Sequence, residues 1–216
     1  MTSVLVIDDH PIVLQGRQRL FEDAGVSPVH QAASFSGAFR LYRRHKPDVI
    51  IADLAIGSVT LGGLSFIRRL RLHDRRTPVL VFSMHSDPVI VSRALALGAN
   101  GYILKDTAAG ELMTAFQRVR SGQPYVSHEL ASSIAFMEAR DKSNPLRSLS
   151  LRELQTLELI AEGKAYGAIA EELGVSYKTV VNTSSTLKNK LGARSLPELM
   201  RIGIRHLPQV NSTRGV

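Results

Sequence analysis

The strongest constraint on the fold is an alternation, over residues 1–122, between short apolar runs and amphipathic stretches. The apolar runs are residues 4–7, 29–34, 47–54, 77–84 and 101–105. Between them, apolar residues recur at three- and four-residue steps, the spacing of a helix with one buried face. Buried strands alternating with such helices are typical of a parallel sheet covered on both faces. We therefore expect an α/β domain over 1–122, with a five-stranded, doubly wound parallel sheet.

The first amphipathic stretch, residues 11–24, also predicts which side of its helix is buried. Ile12, Val13, Leu20 and Phe21 can share one face, and we expect that face to be the apolar, inward one. Pro11 suits the first turn of this helix, where a missing N–H costs nothing.

The pattern changes after the fifth apolar run and its helix. Residues 123–146 are largely polar and include Pro145, so we interpret them as a linker with room for one short helix. Beyond it no strand pattern returns, and residues 147–207 are predicted to form a smaller all-α domain. Residues 208–216 have little to bury and are predicted to be a loose tail.

Composition narrows the classes of function. The chain has no cysteine, which excludes disulfides, thiolate zinc sites and thiol catalysis. No stretch has the roughly 18 uninterrupted apolar residues of a membrane helix, and the first residues lack the basic region of a signal peptide. We therefore expect a cytoplasmic protein with no membrane partner. The net charge of +8 favours an acidic partner such as DNA.

Polar residues stand where the predicted strands finish. Asp8 and Asp9 follow the first strand, Asp53 follows the third, Ser83 ends the fourth and Lys105 ends the fifth. The carboxyl ends of parallel strands meet at one edge, so these side chains should share a crevice. A lone Asp after a strand is more often a turn or cap residue, and the prediction therefore depends on all five together. Clustered carboxylates repel each other, which indicates a Mg²⁺ site, and one carboxylate can act as a nucleophile toward phosphorus.

Residues 1–122 resemble the receiver domain of bacterial two-component response regulators. The acidic pair of that family matches Asp8 and Asp9, and its phosphate-accepting aspartate matches Asp53. The resemblance implies that Asp9 and Asp53 bind Mg²⁺ directly, with the backbone carbonyl of Ala55, and that Asp8 acts largely through water. It also implies that a histidine kinase phosphorylates Asp53.

The remaining positions of the receiver motif match as well. The family's lysine matches Lys105, its Thr/Ser switch position matches Ser83 and its aromatic switch position matches Tyr102. The resemblance implies that Ser83 and Tyr102 reorient on phosphorylation and reshape a nearby surface. The loop DLAIGSVTLGGL departs from the family pattern, because it is longer and has Gly57 where proline is usual. Such a change can alter metal affinity, phosphoryl lifetime or kinase docking.

Residues 149–195 have the pattern of a helix-turn-helix. Ser150 and Glu153 have the spacing of a capping box that starts a helix, and Gly174 fits the left-handed end of a short second helix. Ser176 can cap a third helix, predicted over residues 177–191. The second helix of such a pair usually lies in the major groove of DNA.

The face of the third helix opposite its apolar stripe is predicted to contact double-stranded DNA. Asn and Ser side chains can pair with base edges, whereas Lys and Arg suit phosphates. The predicted DNA-binding residues are Lys178, Thr179, Val181, Asn182, Ser185, Lys188, Lys190 and Arg194.

Residues 149–206 resemble the LuxR-type helix-turn-helix of NarL/FixJ regulators. The matching stretches are LSLRELQTLELIAEG, IAEELGVSYKTV and KLGARS, and the departures are Val181 and Thr183, where the family often has Lys and His. The resemblance implies a DNA-binding transcription regulator, with RNA polymerase as a candidate further partner. A homodimer, at least in the active state, fits such a motif, and the helix predicted over residues 196–206 is either a dimer face or part of the core.

Three other functions stay open from the sequence. The first is an orphan DNA-binding regulator whose receiver works without phosphorylation, as a dimerisation or partner-binding module. The second is an aspartate-nucleophile phosphatase, which would place a second Asp where this chain has Ala55, so we do not expect an enzyme. The third is a protein-interaction adaptor with no affinity for DNA.

Overall fold

The computed structural model describes residues 2–57, 61–140 and 144–207. The chain divides into two compact units, Met1–Phe136 and Met137–Val216. The predicted tail, residues 208–216, lies outside the described residues, as do residues 58–60 of the loop after Asp53 and residues 141–143 of the predicted linker. The domain boundaries given above stay predictions.

The first unit is an α/β fold on one parallel sheet, as predicted. Its strands are β1 (Val4–Ile7), β2 (Val29–Ala32), β3 (Val49–Ala52), β4 (Val79–Ser83), β5 (Gly101–Leu104) and β6 (Tyr125–Val126). Its helices are α1 (Pro11–Asp23), α2 (Phe35–His45), α3 (Gly62–Arg71), α4 (Pro88–Ala96) and α5 (Ala109–Arg120), and α6 (His128–Arg140) runs past the boundary between the units. The strand order is β2-β1-β3-β4-β5-β6, and every pair is parallel.

The centre of the sheet explains the apolar runs. All residues of β1, β3 and β4 are buried, because helices cover both faces of these central strands. Phe21 of α1 and Phe116 of α5 pack in one cluster with the sheet, with ring centroids 4.9 Å apart. The strand order reverses between β1 and β3, so the carboxyl edge there is the switch point where functional groups collect.

The sheet has one strand more than predicted. Tyr125–Val126, placed in the linker by the sequence, pair in parallel with β5 and form β6. The error has a physical reason, since a two-residue strand is too short to show alternation and is held by backbone hydrogen bonds to the edge of β5.

The predicted buried face of α1 is confirmed for Phe21 and for Leu20, which packs against the core cluster, and it is wrong for Ile12. Ile12 is 84% exposed, whereas Leu14, Arg17 and Phe21 are the buried residues of this helix. These three follow three- and four-residue steps as well, but the middle position is an arginine. A face chosen by apolar residues alone therefore missed it.

The second unit is all-α. A 3₁₀ turn at Pro145–Ser148 precedes α7 (Leu151–Ala161), α8 (Tyr166–Leu173), α9 (Tyr177–Leu191) and α10 (Leu196–His206). Gly174 ends α8 at a φ of 61°, and the Ser176 side chain accepts a hydrogen bond from the Thr179 N–H at the start of α9. In α10, Leu199 is buried while Ile204 is 52% exposed. None of the described helices is long and apolar enough to cross a membrane.

Gly63 is expected to tolerate no side chain. A Cβ at this position would lie 2.6 Å from both the Asp53 carbonyl oxygen and the Leu54 Cα. We expect Gly63→Ala to lower the free energy of unfolding by about 1–3 kcal/mol, because backbone must shift to admit the methyl group. Urea denaturation measures the loss.

The matched control is Gly110→Ala in α5, where an added Cβ meets nothing within 4 Å. This change should be neutral or stabilise by up to about 1 kcal/mol, because alanine favours a helix over glycine. Equal stability of the two variants would contradict the predicted close approach at Gly63.

Candidate functional site

Asp8 and Asp53 stand side by side at the carboxyl edge of the sheet, and Lys105 joins them. Ile7 of β1 pairs with Ala52 of β3, so the residues that follow are neighbours. The Lys105 Nζ lies 2.9 Å from the Asp8 Oδ2 and also forms an ion pair with the Asp53 Oδ2. Asp8 is 0% exposed and Asp53 is 3% exposed. In the predicted crevice, Lys105 therefore contacts both buried carboxylates directly.

A second cation, Arg17 of α1, enters the same pocket. An amino group of its guanidinium donates a hydrogen bond of 2.9 Å to the Asp8 Oδ2, the oxygen that also binds Lys105. The guanidinium lies over the Phe82 ring, 4.0 Å from its centroid. Sequence reasoning missed Arg17, because an arginine on an amphipathic helix ordinarily faces solvent. The available signal was its position three residues after the apolar Leu14.

Burial and partners give the two buried carboxylates opposite pKa shifts. Burial raises the pKa of Asp8, but Lys105, the His10 N–H and Arg17 together outweigh it, so this pKa lies below its ordinary value. Burial also raises the pKa of Asp53, and Lys105 offsets only part of that increase, so the pKa of Asp53 lies above its ordinary value. A more basic carboxylate is a stronger nucleophile, which fits the role predicted for Asp53.

Asp9 faces the more open side of the pocket. Its side chain is 27% exposed, and its Oδ2 accepts a hydrogen bond of 2.7 Å from the Gly57 N–H. Its Oδ1 is buried and accepts no hydrogen bond from the described residues, although the His10 Nδ1 lies 3.0 Å away. Ligand atoms of Asp8, Asp9 and His10 all lie within 4.8 Å of one another. A set rich in carboxylate oxygens, one of which is buried and accepts no hydrogen bond from the described residues, fits Mg²⁺.

Two predicted Mg²⁺ ligands, Asp53 and Ala55, make other contacts in the structure. Asp53 is not part of the group formed by Asp8, Asp9 and His10, and its Oδ2 forms an ion pair with Lys105. Ala55 contributes its N–H, which donates a hydrogen bond of 3.2 Å to the Asp53 Oδ1. The ligand role of the Ala55 carbonyl stays a prediction.

The unusual residue of the loop after Asp53 has a defined structural effect. Gly57 has a φ of 64°, in the left-handed region, and its N–H reaches Asp9. A proline here would have neither this φ nor an N–H. The departure from the family loop therefore adds a hydrogen bond to the acidic pair.

Ser83 and Tyr102 are connected through the start of the loop after β4. The Tyr102 O–H donates a hydrogen bond of 2.7 Å to the His85 carbonyl, and the His85 N–H donates one of 3.4 Å to the Ser83 Oγ. All three residues are buried, and burial raises the pKa of Tyr102. Sequence reasoning missed His85, which lies just after the predicted fourth strand and belongs to none of the motifs identified there.

In the second unit, α9 presents most of the predicted DNA-binding residues to solvent. The exposed ones are Lys178, Thr179, Asn182, Ser185, Lys190 and Arg194, and the half-buried ones are Val181 and Lys188. Val180, Ser184 and Leu187 are buried on the opposite face. Tyr177, the first residue of α9, is 60% exposed and was not among the predicted contacts.

Lys190 also has a structural contact. Its Nζ lies 2.9 Å from the Glu153 Oε2 and donates a hydrogen bond of 3.1 Å to the Ser148 carbonyl. Glu153 in turn forms the predicted capping box of α7, since its carboxylate accepts a hydrogen bond from the Ser150 N–H. Lys190 therefore joins the end of α9 to the start of α7, besides the phosphate contact predicted for it.

A parallel α/β unit with a buried aspartate–lysine pocket, followed by a helix-turn-helix unit, defines a response regulator with a DNA-binding output domain. Residues 4–117 match the response regulator receiver domain, and residues 147–202 match the luxR family of bacterial regulatory proteins. The chain belongs to the LuxR-type response regulators. This is a family of regulators and not a known enzyme class.

Curated relatives match along nearly the whole chain. The methanol utilization control regulatory protein MoxX of Paracoccus denitrificans is 40% identical over 204 residues, covering 94% of this chain and 92% of its own. The response regulator UvrY of Escherichia coli is 31% identical over 209 residues, covering 95% of each chain. A solved structure of the RcsB response regulator of Salmonella typhimurium is 26% identical, with a TM-score of 0.72 over 93% of this chain and 95% of that one.

Glu153→Gln is expected to lower the stability of the second unit by about 1–2 kcal/mol at neutral pH, because it weakens the capping box and the Lys190 ion pair. Burial raises the pKa of Glu153. The hydrogen bond from the Ser150 N–H and the contact with Lys190 lower it by more, so the pKa lies below its ordinary value of 4.5. The folded state therefore gains stability above that value and loses it as the pH falls through the folded-state pKa. The difference between wild type and variant should shrink accordingly.

Urea unfolding from about pH 7 to about pH 3 measures this difference. Glu171→Gln, on the exposed face of α8, is the control and should differ little from wild type throughout. A deficit of Glu153→Gln that does not change with pH would contradict the ionic role of Glu153.

Proposed function

We propose that this protein is a transcription regulator switched by transfer of a phosphoryl group from a histidine kinase to Asp53. The observation that carries the proposal is the buried contact of Lys105 with both Asp8 and Asp53 at the switch point of the sheet. The receiver is proposed to span residues 1–122 and the DNA-binding domain residues 147–207. A cytoplasmic location follows from the proposed DNA partner.

In the proposed step, an oxygen of the Asp53 carboxylate attacks the phosphorus of the kinase's phosphohistidine. The new P–O bond forms as the P–N bond breaks, and the imidazole leaves. Mg²⁺ bound by Asp9, Asp53 and the Ala55 carbonyl, and by Asp8 through water, would neutralise charge on the phosphoryl oxygens. The Lys105 ammonium, which already binds the Asp53 Oδ2, is placed to pair with one of those oxygens once Asp53 is phosphorylated.

Ser83 and Tyr102 are proposed to transmit the change. Their connection through His85 supports this role, because a new hydrogen bond from Ser83 to a phosphoryl oxygen would disturb the same loop that holds the Tyr102 O–H. The loop leads into α4 (Pro88–Ala96), so a rearrangement there would change the adjoining surface.

The proposed DNA contacts are those of α9 and the residues after it. The structural relatives include RcsB bound to the rprA promoter in the presence of the phosphomimetic BeF₃⁻, with a TM-score of 0.71 and 25% identity, and two RcsB dimers bound to two parallel DNAs. By analogy we propose that this chain binds double-stranded DNA as a homodimer when phosphorylated. RNA polymerase is a candidate further partner.

Asp53→Asn tests the proposed phosphorylation. Incubation with a small phosphodonor and Mg²⁺ should add one phosphoryl group to the wild type, measured by intact mass, and none to the variant, because an amide oxygen is a poor nucleophile. Asp23→Asn, at the exposed end of α1, is the matched control and should gain the group like the wild type.

The alternative is an orphan regulator whose receiver is not phosphorylated. The unusual loop after Asp53 supports this alternative. Its Gly57 N–H binds one oxygen of Asp9, a predicted Mg²⁺ ligand. A wild type that gains no phosphoryl group at any donor concentration, but still binds DNA, would support this alternative and reject the phosphorylation switch.

Lys178→Gln tests the proposed DNA surface. Lys178 is exposed near the start of α9, so loss of one phosphate contact should weaken binding to any duplex and reduce the slope of log affinity against log salt by about 1. Titration of a fluorescent mixed-sequence duplex over a range of salt concentrations measures both. Arg205→Gln, exposed on α10, removes the same charge away from α9 and should leave the slope unchanged. Equal slopes for both variants would contradict the assignment.

A further inference from the structure

The acidic pocket has a cation that the phosphotransfer chemistry described above does not use. Arg17 lies inside the first unit with its side chain 8% exposed, although nothing in the proposed step requires it. Buried arginines are uncommon and need a counter-charge. The counter-charge here is Asp8, and both cations of the pocket bind one of its oxygens, the Oδ2.

The contacts of Arg17 hold its guanidinium in a fixed place. One side is fixed by the 2.9 Å hydrogen bond to Asp8, and its plane is supported by the Phe82 ring. Arg17 belongs to the buried face of α1, between Leu14 and Phe21, so the helix itself directs the side chain inward. The arrangement is a built contact between α1, the end of β1 and β4.

This arrangement changes the charge of the pocket. Asp8, Asp9 and Asp53 carry three negative charges when ionised, and Lys105 and Arg17 carry two positive ones. The pocket is therefore close to balanced before any metal enters, and a divalent ion would leave it with an excess of positive charge. The guanidinium of Arg17 also places a second cation on the Asp8 oxygen that Lys105 already binds, which weakens the attraction of Asp8 for a further cation.

We propose that Arg17 is a built-in counter-cation that competes with the divalent ion for Asp8 and so lowers the affinity of this pocket for Mg²⁺. Arg17 is a positioning residue, because it acts through Asp8. The inference rests on the Mg²⁺ site proposed above. It predicts a pocket that stays ordered without metal and takes up Mg²⁺ only at a higher concentration than the acidic residues alone would require.

The test compares Mg²⁺ binding by the full chain and three variants. Arg17→Met removes the charge and keeps a long side chain over Phe82, Arg17→Lys keeps the charge, and Arg19→Gln removes a charge from the exposed side of the same helix. Asp8 keeps Lys105 as its partner in all of them, so no buried carboxylate is left unpaired. Isothermal titration calorimetry gives the dissociation constant, and the rise of the melting temperature with Mg²⁺ gives an independent value.

Arg17→Met should bind Mg²⁺ about tenfold more tightly than the wild type, because a positive charge that contacts Asp8 is removed from a largely buried site. Arg17→Lys should stay within about threefold of the wild type, and Arg19→Gln should match it, because solvent screens an exposed charge. Unchanged or weaker binding by Arg17→Met would overturn the proposal.

The outcomes separate this inference from the proposed metal site. If neither the wild type nor Arg17→Met binds Mg²⁺, the metal site itself fails and the inference fails with it. If the wild type binds Mg²⁺ and Arg17→Met binds it equally, only the role of Arg17 fails. Binding by Arg17→Met alone would support both.

A measurement on the wild type covers the case in which Arg17→Met does not fold. The assigned Nε–Hε resonance of Arg17 is followed by NMR as Mg²⁺ is added. Competition for Asp8 should shift this resonance and speed its exchange with water, while the resonance of Arg19 stays in place. A resonance of Arg17 that does not respond at saturating Mg²⁺ would overturn the proposal.

Discussion

The acidic pocket of the first unit depends on the ionic contact of Lys105 with Asp8 and Asp53. Removing charges from water costs several kcal/mol per ion, so a buried set of charges persists only where partners are held in place. Here the strand register holds the two carboxylates in place, because Ile7 and Ala52 are paired and an aspartate follows each of them. The sheet, in turn, is fixed by strands whose residues are buried on both faces.

The same contact explains why small changes near the pocket matter. Gly63 approaches the backbone of Asp53 and Leu54 so closely that a methyl group has no room, and the Gly57 N–H binds Asp9. The loop after β3 therefore fixes the acidic residues from one side, while Arg17 and Phe82 fix them from another. The pocket is formed by backbone and side chains of several separate stretches that must be correct together.

The sequence was enough to predict the sheet and the position of the carboxylates, because both depend on local pattern. Apolar runs mark buried strands, and a polar residue after each run must lie at the carboxyl edge. It was not enough for Arg17, Ile12 or β6. Two of these depend on contacts that a local pattern does not show: those of Arg17 with Asp8 and Phe82, and that of the short strand with the edge of β5. A helix face counted by apolar residues cannot reveal a buried ion pair.

In the second unit, too, the sequence alone did not reveal the contacts of a charged side chain, that of Lys190 in the proposed DNA-binding surface. Lys190, near the end of α9, is predicted from its charge to contact a DNA phosphate. In the structure its Nζ contacts both the Glu153 carboxylate and the Ser148 carbonyl. A lysine with two protein partners has less freedom to follow a DNA backbone than Lys178, which is exposed at the other end of the helix. Because the Glu153 carboxylate also caps α7, binding of Lys190 to a phosphate would weaken a contact that holds α7 and α9 together. Lys178 is therefore a better candidate for a phosphate contact than Lys190, because the positive end of the helix dipole at the start of α9 adds to its charge.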